Sequence, residues 1–483
     1  MVEVRNLIDG VWAEGSADNR LDVVDPATET VLTSFRASSL ADVDRAVAAA
    51  RRAAPGWAAL PYGDRARLLH RLADAVAADL PRLQELEVAD VGKPVSAVSE
   101  DELPLVLDSI RYFASAARSL SAQTTGEYAV GVTTTFRREP LGVVAAITPW
   151  NYPLWMAVWK VVPALATGNT MVLKPAEDTP LSTTRLVELA ADILPPGVLN
   201  LVHGSGQTTG KHLAEHAGVD LVSFTGSVAT GRAIAEGASR KPRKSVLELG
   251  GNAPVIILDD ADLAAAAAKV SVMGTYNAGQ ECMAATRVIV AESVADAFVD
   301  RLVTELGSVV VGDPADPQTT LGPLISERQL RRVEGLIERR PGHAKVVLGG
   351  HRVPRPGFYF EPTVVTGLLQ EDELVQEEIF GPVITVQTFS TAAEALELAN
   401  GVPFGLSGSV WTADIAQGLR LLNGLDFGNV WLNTHLVVGP DYPLGGFNES
   451  GYGKEGGVAG IEEYTRLKAI GIQTGIQTGT VTD

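Results

Sequence analysis

The chain has 483 residues, of which 46% are hydrophobic and 20% are charged, and its net charge is −19. A chain of that length exceeds one ordinary hydrophobic core and predicts two or three domains. The acidic balance argues against nucleic acid or an anionic membrane as a partner. The single cysteine excludes an intramolecular disulfide, and with it a disulfide-stapled secreted scaffold.

The N-terminal residues 1–6 mix polar and apolar side chains, without a basic head followed by an apolar run. We therefore expect no signal peptide. No uninterrupted apolar stretch of about 18 residues occurs, so no membrane span is expected. These features favour a cytoplasmic protein.

The first 122 residues pass from short strands to helices. Turn residues punctuate residues 1–35, which indicates short strands. Ser39 and Asp42 precede an Ala-rich amphipathic run, and the helix that they begin is predicted to end at Pro55 and Gly56. Further helices are predicted over residues 62–80, 81–91 and 101–122.

Residues 126–140 alternate in hydrophobicity, which predicts a hairpin that interrupts the helices. Beyond it, short apolar runs alternate with helical segments, so we expect parallel sheets covered by helices on both faces. The predicted strands are 143–147, 170–173, 198–202, 221–224, 255–258, 286–290, 346–348, 383–386 and 408–411. The predicted helices between them are 154–165, 181–193, 210–217, 231–239, 263–273, 294–306, 327–339 and 392–400. The chain therefore reads as two α/β bodies joined near Gly250 and Gly251.

Residues 247–282 hold the chain's only cysteine, Cys282, and a carboxylate, Glu248, on an apolar strand that stops at two glycines. A thiol and a carboxylate are the parts of a covalent mechanism, in which one attacks and the other handles protons. The alternative is that Cys282 is a small buried hydrophobic residue.

Two segments have features of a nucleotide site. Residues 224–231 follow an apolar strand and open a helix, where glycines let a phosphate approach. Lys174 and Glu177 follow another strand, and a carboxylate there can bind ribose hydroxyls and would repel a 2′-phosphate. Neither signal is specific alone, since the glycine spacing differs from the dinucleotide fingerprint and a solvated turn would explain the charged pair. Gly206 belongs to a further glycine run that misses the fingerprint by one residue.

Two polar motifs have competing interpretations. Asn151 lies between two prolines, where its amide could donate to an oxyanion or could cap the following helix. His212 and His216 match an H-x-x-E-H zinc-peptidase pattern. No distant third ligand is apparent in the sequence, so we interpret the two histidines as part of a polar helix face and expect no metal.

Taken together, these motifs resemble the aldehyde dehydrogenase superfamily from about Leu7 to Ile470. The matching segments are residues 92–94, 148–153, 174–177, 224–227, 248–251, 279–282, 378–382 and 443–446. The resemblance implies two open Rossmann-like α/β domains and a small β arm for oligomerisation. The implied bounds are 1–120 and 141–250 for the NAD-binding domain, 251–446 for the catalytic domain, and 121–140 with 447–483 for the arm and C-terminal segment.

The resemblance also implies roles for individual residues. Cys282 attacks the aldehyde, Asn151 and the backbone N–H of Cys282 hold the oxyanion, and Glu248 activates water. Lys160 and Glu455 match positions that relay protons from the general base. The presence of Glu248 implies that water, rather than coenzyme A, accepts the acyl group.

The implied cofactor is NAD. Its adenosine ribose is expected on Lys174 and Glu177, its pyrophosphate near Ser227, its nicotinamide ribose on Glu378 and its nicotinamide near Phe380. The full set of expected cofactor residues is Ile147, Trp150, Lys174, Glu177, Gly206, Phe224, Gly226, Ser227, Leu249, Glu378 and Phe380.

For the substrate, residues 101–104, 126–128, 433–435 and 450–454 look like the aminobutyraldehyde dehydrogenase branch. The expected substrate residues are Asp101, Tyr152, Trp155, Trp159 and Glu281, with Glu102 nearby. Aromatic rings and carboxylates suit an ammonium tail, although core tryptophans and solvated acids would give the same sequence. Leu444, where related enzymes often carry an aromatic residue, argues against a strict quaternary-ammonium specificity.

Glu281 places a negative charge beside the thiol, which raises a thiol pKa. We expect the cofactor's positive ring, a helix end or an outward rotamer to offset that charge.

The sequence thus predicts an NAD-dependent dehydrogenase for an ω-aminoaldehyde such as 4-aminobutanal, acting as a dimer or tetramer. A dehydrogenase for a neutral aliphatic or aromatic aldehyde, a zinc hydrolase and a catalytically silent relative are the alternatives.

Overall fold

Two open, largely parallel β-sheets form the framework of the computed structural model, which describes residues 2–120, 124–240 and 242–473. The first sheet has eight strands, in the spatial order Val11–Ala13, Asn6–Ile8, Leu199–Leu201, Thr170–Lys174, Val143–Ile147, Leu221–Thr225, Lys244–Glu248 and Gly451–Tyr452. The second has seven, in the order Lys345–Leu348, Thr363–Thr366, Val383–Phe389, Arg287–Ala291, Pro254–Ile257, Ser407–Trp411 and Asn429–Leu432. Their central strands are parallel. The predicted α/β class is confirmed.

Helices cover the sheets, since buried parallel strands need apolar cover on both faces. The α-helices are Leu40–Ala59, Tyr62–Ala78, Leu80–Val91, Val95–Ala97, Leu103–Ala116, Pro153–Ala166, Leu181–Ala191, Lys211–Glu215, Val228–Arg240, Leu263–Thr275, Ala295–Leu306, Glu327–Glu338, Glu373–Gln376, Ala392–Asn400, Ile415–Gly424 and Gly457–Glu463. Shorter helical turns lie at Val98–Glu102, Ala117–Ser119, Gly206–Gly210, Tyr276–Gly279 and Glu292–Val294. None of these helices is both long and apolar enough to cross a membrane.

The first helix corrects one expectation. Ser39 and Asp42 form the capping box that begins it, but the helix does not end at Pro55 and continues to Ala59. Pro55 removes one helical N–H, while Trp57, two residues later, is buried and donates from Nε1 to Leu165 O at 3.0 Å. Anchoring of that ring explains why the last turn persists.

Several helices begin or end at other residues than predicted, and some strands and helices were not predicted. The predicted helix over 101–122 is Leu103–Ala116, and the predicted helix over 210–217 shrinks to Lys211–Glu215. Strands Thr363–Thr366 and Asn429–Leu432 and helix Ile415–Gly424 were not predicted, because short runs give weak periodicity.

Three smaller sheets complete the fold. Arg20–Val24 pairs with Val31–Arg36, and Phe404–Gly405 pairs with Phe447–Asn448. The predicted hairpin is present as Gly126–Ala129 and Val132–Pro140, and its second strand also pairs with Thr465–Gln473. Residues 121–123 of the predicted arm and residues 474–483 of the tail lie outside the described residues. The domain bounds and the oligomerisation role stay predictions.

The connection between the two sheets runs from Glu248 to Pro254 and needs its two glycines for space. A Cβ on Gly250 would lie 2.2 Å from Glu378 Oε2, and one on Gly251 would lie 2.4 Å from Cys282 O. The join therefore brings residues of both sheets against the end of strand Lys244–Glu248.

Candidate active site

Two cavities meet where the sheets are joined. A cavity of about 500 Å³ and one of about 240 Å³ share four lining residues, which are Asn151, Thr225, Glu248 and Cys282. Glu248 ends a strand of the first sheet, while Cys282 precedes strand Arg287–Ala291 of the second. The structure therefore brings Cys282, Glu248 and Asn151 together where the two cavities meet.

A left-handed turn presents Cys282. Asn277, Ala278 and Gly279 have φ values of 49°, 56° and 69°, although only glycine adopts this region without strain. Gln280 anchors the turn, since its Nε2 donates to Asn277 O at 3.1 Å and its Oε1 accepts from Ile325 N at 2.9 Å. The partly buried thiol of Cys282 follows directly.

Glu281 turns its carboxylate toward the thiol. The Cys282 Sγ–H donates to Glu281 Oε1 at 3.3 Å, and the Met283 N–H donates to the same oxygen at 3.1 Å. Of the three expected offsets, the outward rotamer is therefore wrong, because these two contacts hold the carboxylate inward. Burial raises the pKa of Cys282 well above its ordinary value, and the charges of Glu281, Glu248 and Glu378 raise it further.

Asn151 is fixed by the turn that carries Cys282. Its Nδ2 donates to Gln280 O at 2.9 Å, and Asn277 Nδ2 donates to Asn151 O at 3.1 Å. The helix that follows begins after Tyr152 without a side-chain cap. The interpretation of Asn151 as a helix cap is therefore wrong. One N–H of its amide donates to Gln280 O, and the second can donate to a ligand.

Glu248 is a buried carboxyl with a perturbed acidity. Its Oε1 has no hydrogen-bond partner among the described residues. Burial, followed by the negative charge of Glu455, raises the pKa of Glu248 to about 8, although Lys160 and Lys454 oppose the shift. A carboxyl that changes charge near neutral pH suits a general base.

Lys160 and Glu455 form a buried ion pair near Glu248. Lys160 Nζ also donates to Ser223 Oγ at 3.2 Å, and that hydroxyl lies 3.1 Å from the Tyr464 hydroxyl. Ser223 and Tyr464 were missed by the sequence analysis, since neither belongs to a recognisable motif. Glu455 lines the larger cavity together with Glu248.

Aromatic side chains form one wall of the larger cavity. Tyr152 and Trp155 meet edge to face with centroids 5.6 Å apart, and Trp155 and Trp159 do so at 5.4 Å. All three are buried but line the cavity. Lys93, which lies in a matching segment but was given no role, places its Nζ 4.0 Å from the centre of the Tyr152 ring.

Acidic side chains are set among the apolar residues that make up most of the remaining lining. Asp101 Oδ2 accepts from the Tyr276 hydroxyl at 3.2 Å, and Glu102 Oε2 lies 2.6 Å from Lys93 Nζ. Burial raises the pKa of Glu102 to about 7 despite the opposing Lys93 charge. In the described part of the chain, this lining has six carboxylate side chains (Glu100, Asp101, Glu102, Glu248, Glu281 and Glu455) and no lysine, arginine or histidine.

A third cavity, of about 430 Å³, lies at the carboxyl ends of the first sheet's strands. Four predicted cofactor residues line it, namely Ile147, Glu177, Gly206 and Phe224. Glu177 Oε1 accepts from Gly206 N at 3.1 Å, and Glu177 Oε2 lies 3.5 Å from the buried Lys174 Nζ. Glu177 therefore lines a cavity that can hold a ligand, and Lys174 is buried beside it. These positions argue against a simple solvated turn.

The cavity of about 240 Å³ is lined by six more of the predicted cofactor residues, whereas Lys174 lines neither cavity. Its lining includes Trp150, Gly226, Ser227, Leu249, Glu378 and Phe380. Glu378 Oε1 accepts from Gly251 N at 3.0 Å, and burial raises the pKa of Glu378 to about 7. Phe380, at φ 56°, meets Trp150 edge to face at 5.3 Å.

Two residues of this cavity were missed, and both hold the chain around Phe380. Gln329 Nε2 donates to Phe380 O at 2.7 Å, and Arg332 donates to Ile379 O and Glu378 O. Their helix, Glu327–Glu338, carries no motif that would have revealed them. Ser227 Oγ accepts from Thr230 N at 3.3 Å and so caps the helix start that faces this cavity.

The two histidines of the zinc-like pattern do meet a third polar side chain. Asp44 Oδ1 lies 2.7 Å from His212 Nε2 and 3.3 Å from His216 Nε2. However, His216 Nδ1 accepts from Gly218 N at 2.9 Å, so a neutral His216 carries its proton on Nε2 and donates to Asp44. A protonated Nε2 on His216 cannot bind a metal ion. Asp44, His212 and His216 also do not line the cavities around Cys282, so we interpret them as a polar surface cluster.

Comparisons with known proteins agree with this geometry. The model of the aldehyde dehydrogenase family matches residues 12–470. A candidate aldehyde dehydrogenase from Burkholderia cenocepacia is 39% identical, with a TM-score of 0.96 and 100% of each chain covered. Betaine aldehyde dehydrogenase from Staphylococcus aureus, solved with NAD+, is 36% identical, with a TM-score of 0.96, 99% of this chain and 96% of that chain covered. PnpE, also solved with nicotinamide adenine dinucleotide, is 39% identical, with a TM-score of 0.95 and 97% of each chain covered.

Proposed function

The chain belongs to the aldehyde dehydrogenase family, and we propose that its substrate is an ω-aminoaldehyde such as 4-aminobutanal. The chain is an NAD-dependent aldehyde dehydrogenase, in agreement with its family and with the NAD+ bound to the betaine aldehyde dehydrogenase of Staphylococcus aureus. What the proposal adds is the identity of the aldehyde and the residues that act on it.

The proposed nucleophile is Cys282. Its sulfur attacks the aldehyde carbon, and the remaining N–H of Asn151 donates to the oxygen on which negative charge develops. Such a contact lowers an acyl-transfer barrier by about 3–4 kcal/mol. Bound NAD supplies the acceptor for the hydride that leaves this carbon, so a thioester remains on Cys282.

The proposed general base is Glu248. Its ionised form takes a proton from water, and the resulting hydroxide attacks the thioester carbon, releases the acid and returns the sulfur of Cys282. The unpartnered Oε1 leaves room for that water. Lys160 and Glu455, paired beside Glu248, are proposed to pass the proton onward.

The described residues fit NAD. Glu177 and Lys174 are proposed to hold the adenosine ribose, because Glu177 lines the cavity with Gly206 and Phe224 and the buried Lys174 Nζ lies 3.5 Å from its carboxylate. Ser227 would face the pyrophosphate from its helix start, where N–H groups favour an anion. Glu378 would accept hydrogen bonds from the hydroxyls of the nicotinamide ribose. Its pKa of about 7 is consistent with a buried carboxyl that has few hydrogen-bond donors around it before NAD binds.

The proposed substrate preference depends on one observation, which is the charge of the larger cavity. Its described lining combines an aromatic wall with six carboxyl side chains. Glu102 and Glu455 are paired with Lys93 and Lys160, and Glu248 has a pKa of about 8, so Glu100, Asp101 and Glu281 supply most of the negative charge. A primary ammonium would gain from the carboxylates of Asp101 and Glu281 and from the faces of the rings. Betaine aldehyde, which names the Staphylococcus aureus relative, is also a cation.

A neutral aldehyde is the second candidate. Apolar side chains such as Leu105, Met156, Val438 and Leu444 share the lining, and they would contact an alkyl or aryl tail equally well. Leu444 also presents no aromatic face to a quaternary nitrogen, which favours a primary amine over betaine aldehyde.

The test follows NADH formation with 4-aminobutanal, butanal, benzaldehyde and betaine aldehyde. The proposal predicts the highest kcat/KM for 4-aminobutanal, about tenfold or more above butanal, and a decline of this ratio as ionic strength rises. Equal values for 4-aminobutanal and butanal would reject the ammonium site while leaving the dehydrogenase activity intact.

A further inference from the structure

Glu281 holds an unusual position, because it contacts both the reacting thiol and the substrate cavity. Its Oε1 accepts from Cys282 Sγ at 3.3 Å and from Met283 N at 3.1 Å. The side chain also lines the acidic cavity. A thiol that donates to a carboxylate is held in its protonated, unreactive form, since ionisation would place two negative charges side by side.

The surroundings do not cancel the charge of Glu281. The groups that face the pair are Tyr152, Tyr276 and the carboxylates Glu102, Glu248 and Glu378. Lys93 is the nearby cation, but its Nζ lies 2.6 Å from Glu102 and 3.4 Å from Glu87, so those carboxylates balance its charge. Lys160 is likewise paired with Glu455. A cation bound beside Glu281 would relieve the thiol.

We propose that Glu281 restrains Cys282 and that a cation bound in the acidic cavity releases it, so that the charged end of the substrate activates the nucleophile. The Cys282 and Met283 hydrogen bonds end at Oε1, the Tyr152 hydroxyl also bonds to this carboxylate, and an ammonium in the cavity would meet the same group. Partial neutralisation of the carboxylate then allows Sγ to give its proton to water and become the thiolate. The inference rests on the proposed aminoaldehyde function and deepens it, since it joins binding of the amine to reactivity.

The single cysteine makes this coupling directly measurable. Alkylation of the NAD-free protein by iodoacetamide reports only Cys282, and its rate across pH gives the midpoint of thiol ionisation. Butylammonium and butanol are the probes, because they match in size and differ in charge. We expect butylammonium to lower the midpoint by about one pH unit, which is read as an about tenfold higher rate between about pH 7 and 9, where the amine stays cationic, and butanol to leave the midpoint unchanged.

Variants test the role of Glu281. Glu281→Gln is expected to lower the midpoint without any ligand and to abolish the response to butylammonium. Glu188→Gln, which removes a carboxylate that is paired with Arg185 and does not line this cavity, is the matched control and should retain the response. The wild-type comparison of the two probes does not depend on the folding of any variant.

The outcomes are distinct from those of the substrate assay. Equal midpoints with butylammonium and butanol in the wild-type protein, or an unchanged or higher midpoint in Glu281→Gln, would overturn the restraint even if 4-aminobutanal proved to be the preferred substrate. A response that persists in Glu281→Gln would also overturn it, because the charge would then act through another group.

Discussion

Lys160 and Glu455 form an ion pair in which neither side chain is more than 3% exposed. Removal of one partner leaves an uncompensated buried charge, which destabilises a protein by about 3–5 kcal/mol. We predict that Lys160→Met lowers the free energy of unfolding by that amount, and that Lys160→Met combined with Glu455→Gln recovers much of the loss. Denaturant unfolding measures both.

The control for this prediction is Lys468→Met, which removes the exposed partner of Glu139. Exposed pairs contribute about 0–1 kcal/mol, so a small effect is expected. A Lys160→Met protein as stable as the wild type would show that Lys160 and Glu455 are not both charged in the folded protein.

The pKa of Glu248 predicts how hydrolysis depends on pH. A base must be ionised to accept a proton, so the rate of thioester hydrolysis should rise with pH and level off above about 8. Single-turnover hydrolysis of acylated enzyme, monitored across pH, measures this step. Glu248→Gln should make the step slow and independent of pH in this range. A rate that falls with rising pH would contradict the base assignment.

Asn151 should act in formation of the thioester. Loss of one oxyanion donor lowers kcat by about 10²–10³, so we predict that Asn151→Ala slows the first burst of NADH by that factor. Its affinity for NAD should stay close to that of the wild type. A variant that loses NAD affinity but keeps its burst rate would assign the amide to the cofactor instead.

Glu177 should set the choice between NAD and NADP. Its carboxylate, held by Gly206 N at 3.1 Å, would repel a 2′-phosphate on the adenosine ribose. We predict that Glu177→Gln raises kcat/KM for NADP relative to NAD by about tenfold. Glu188→Gln, which removes a carboxylate paired with Arg185 at 2.9 Å on a neighbouring helix, should leave the ratio unchanged.

The framework could be predicted because its signals are local. Near-continuous apolar strands such as Val143–Ile147 identify parallel pairing, and the motif around Ser227 marks a helix start at a strand end. Predicted helix boundaries were wrong where a contact with a distant residue determines where the helix ends. The first helix continues past Pro55 because Trp57 is buried against Leu165, 108 residues away in sequence.

The same division holds for the site. Cys282, Glu248 and Asn151 could be singled out from the sequence by their chemistry and their neighbours. The rotamer of Glu281 could not, because it depends on a hydrogen bond to Sγ and on the backbone of Met283. Ser223 and Tyr464 were missed because their relation to Lys160 arises only when strand, helix and C-terminal segment come together.

The most direct test of the covalent mechanism uses Glu248→Gln with NAD and butanal, followed by mass spectrometry of the peptide that contains Cys282. We predict one equivalent of NADH per active site and a butanoyl group on Cys282, since the thioester forms but is not hydrolysed. Sustained NADH formation without an adduct on that peptide would contradict the assignment of Cys282 as nucleophile and Glu248 as the base that frees it.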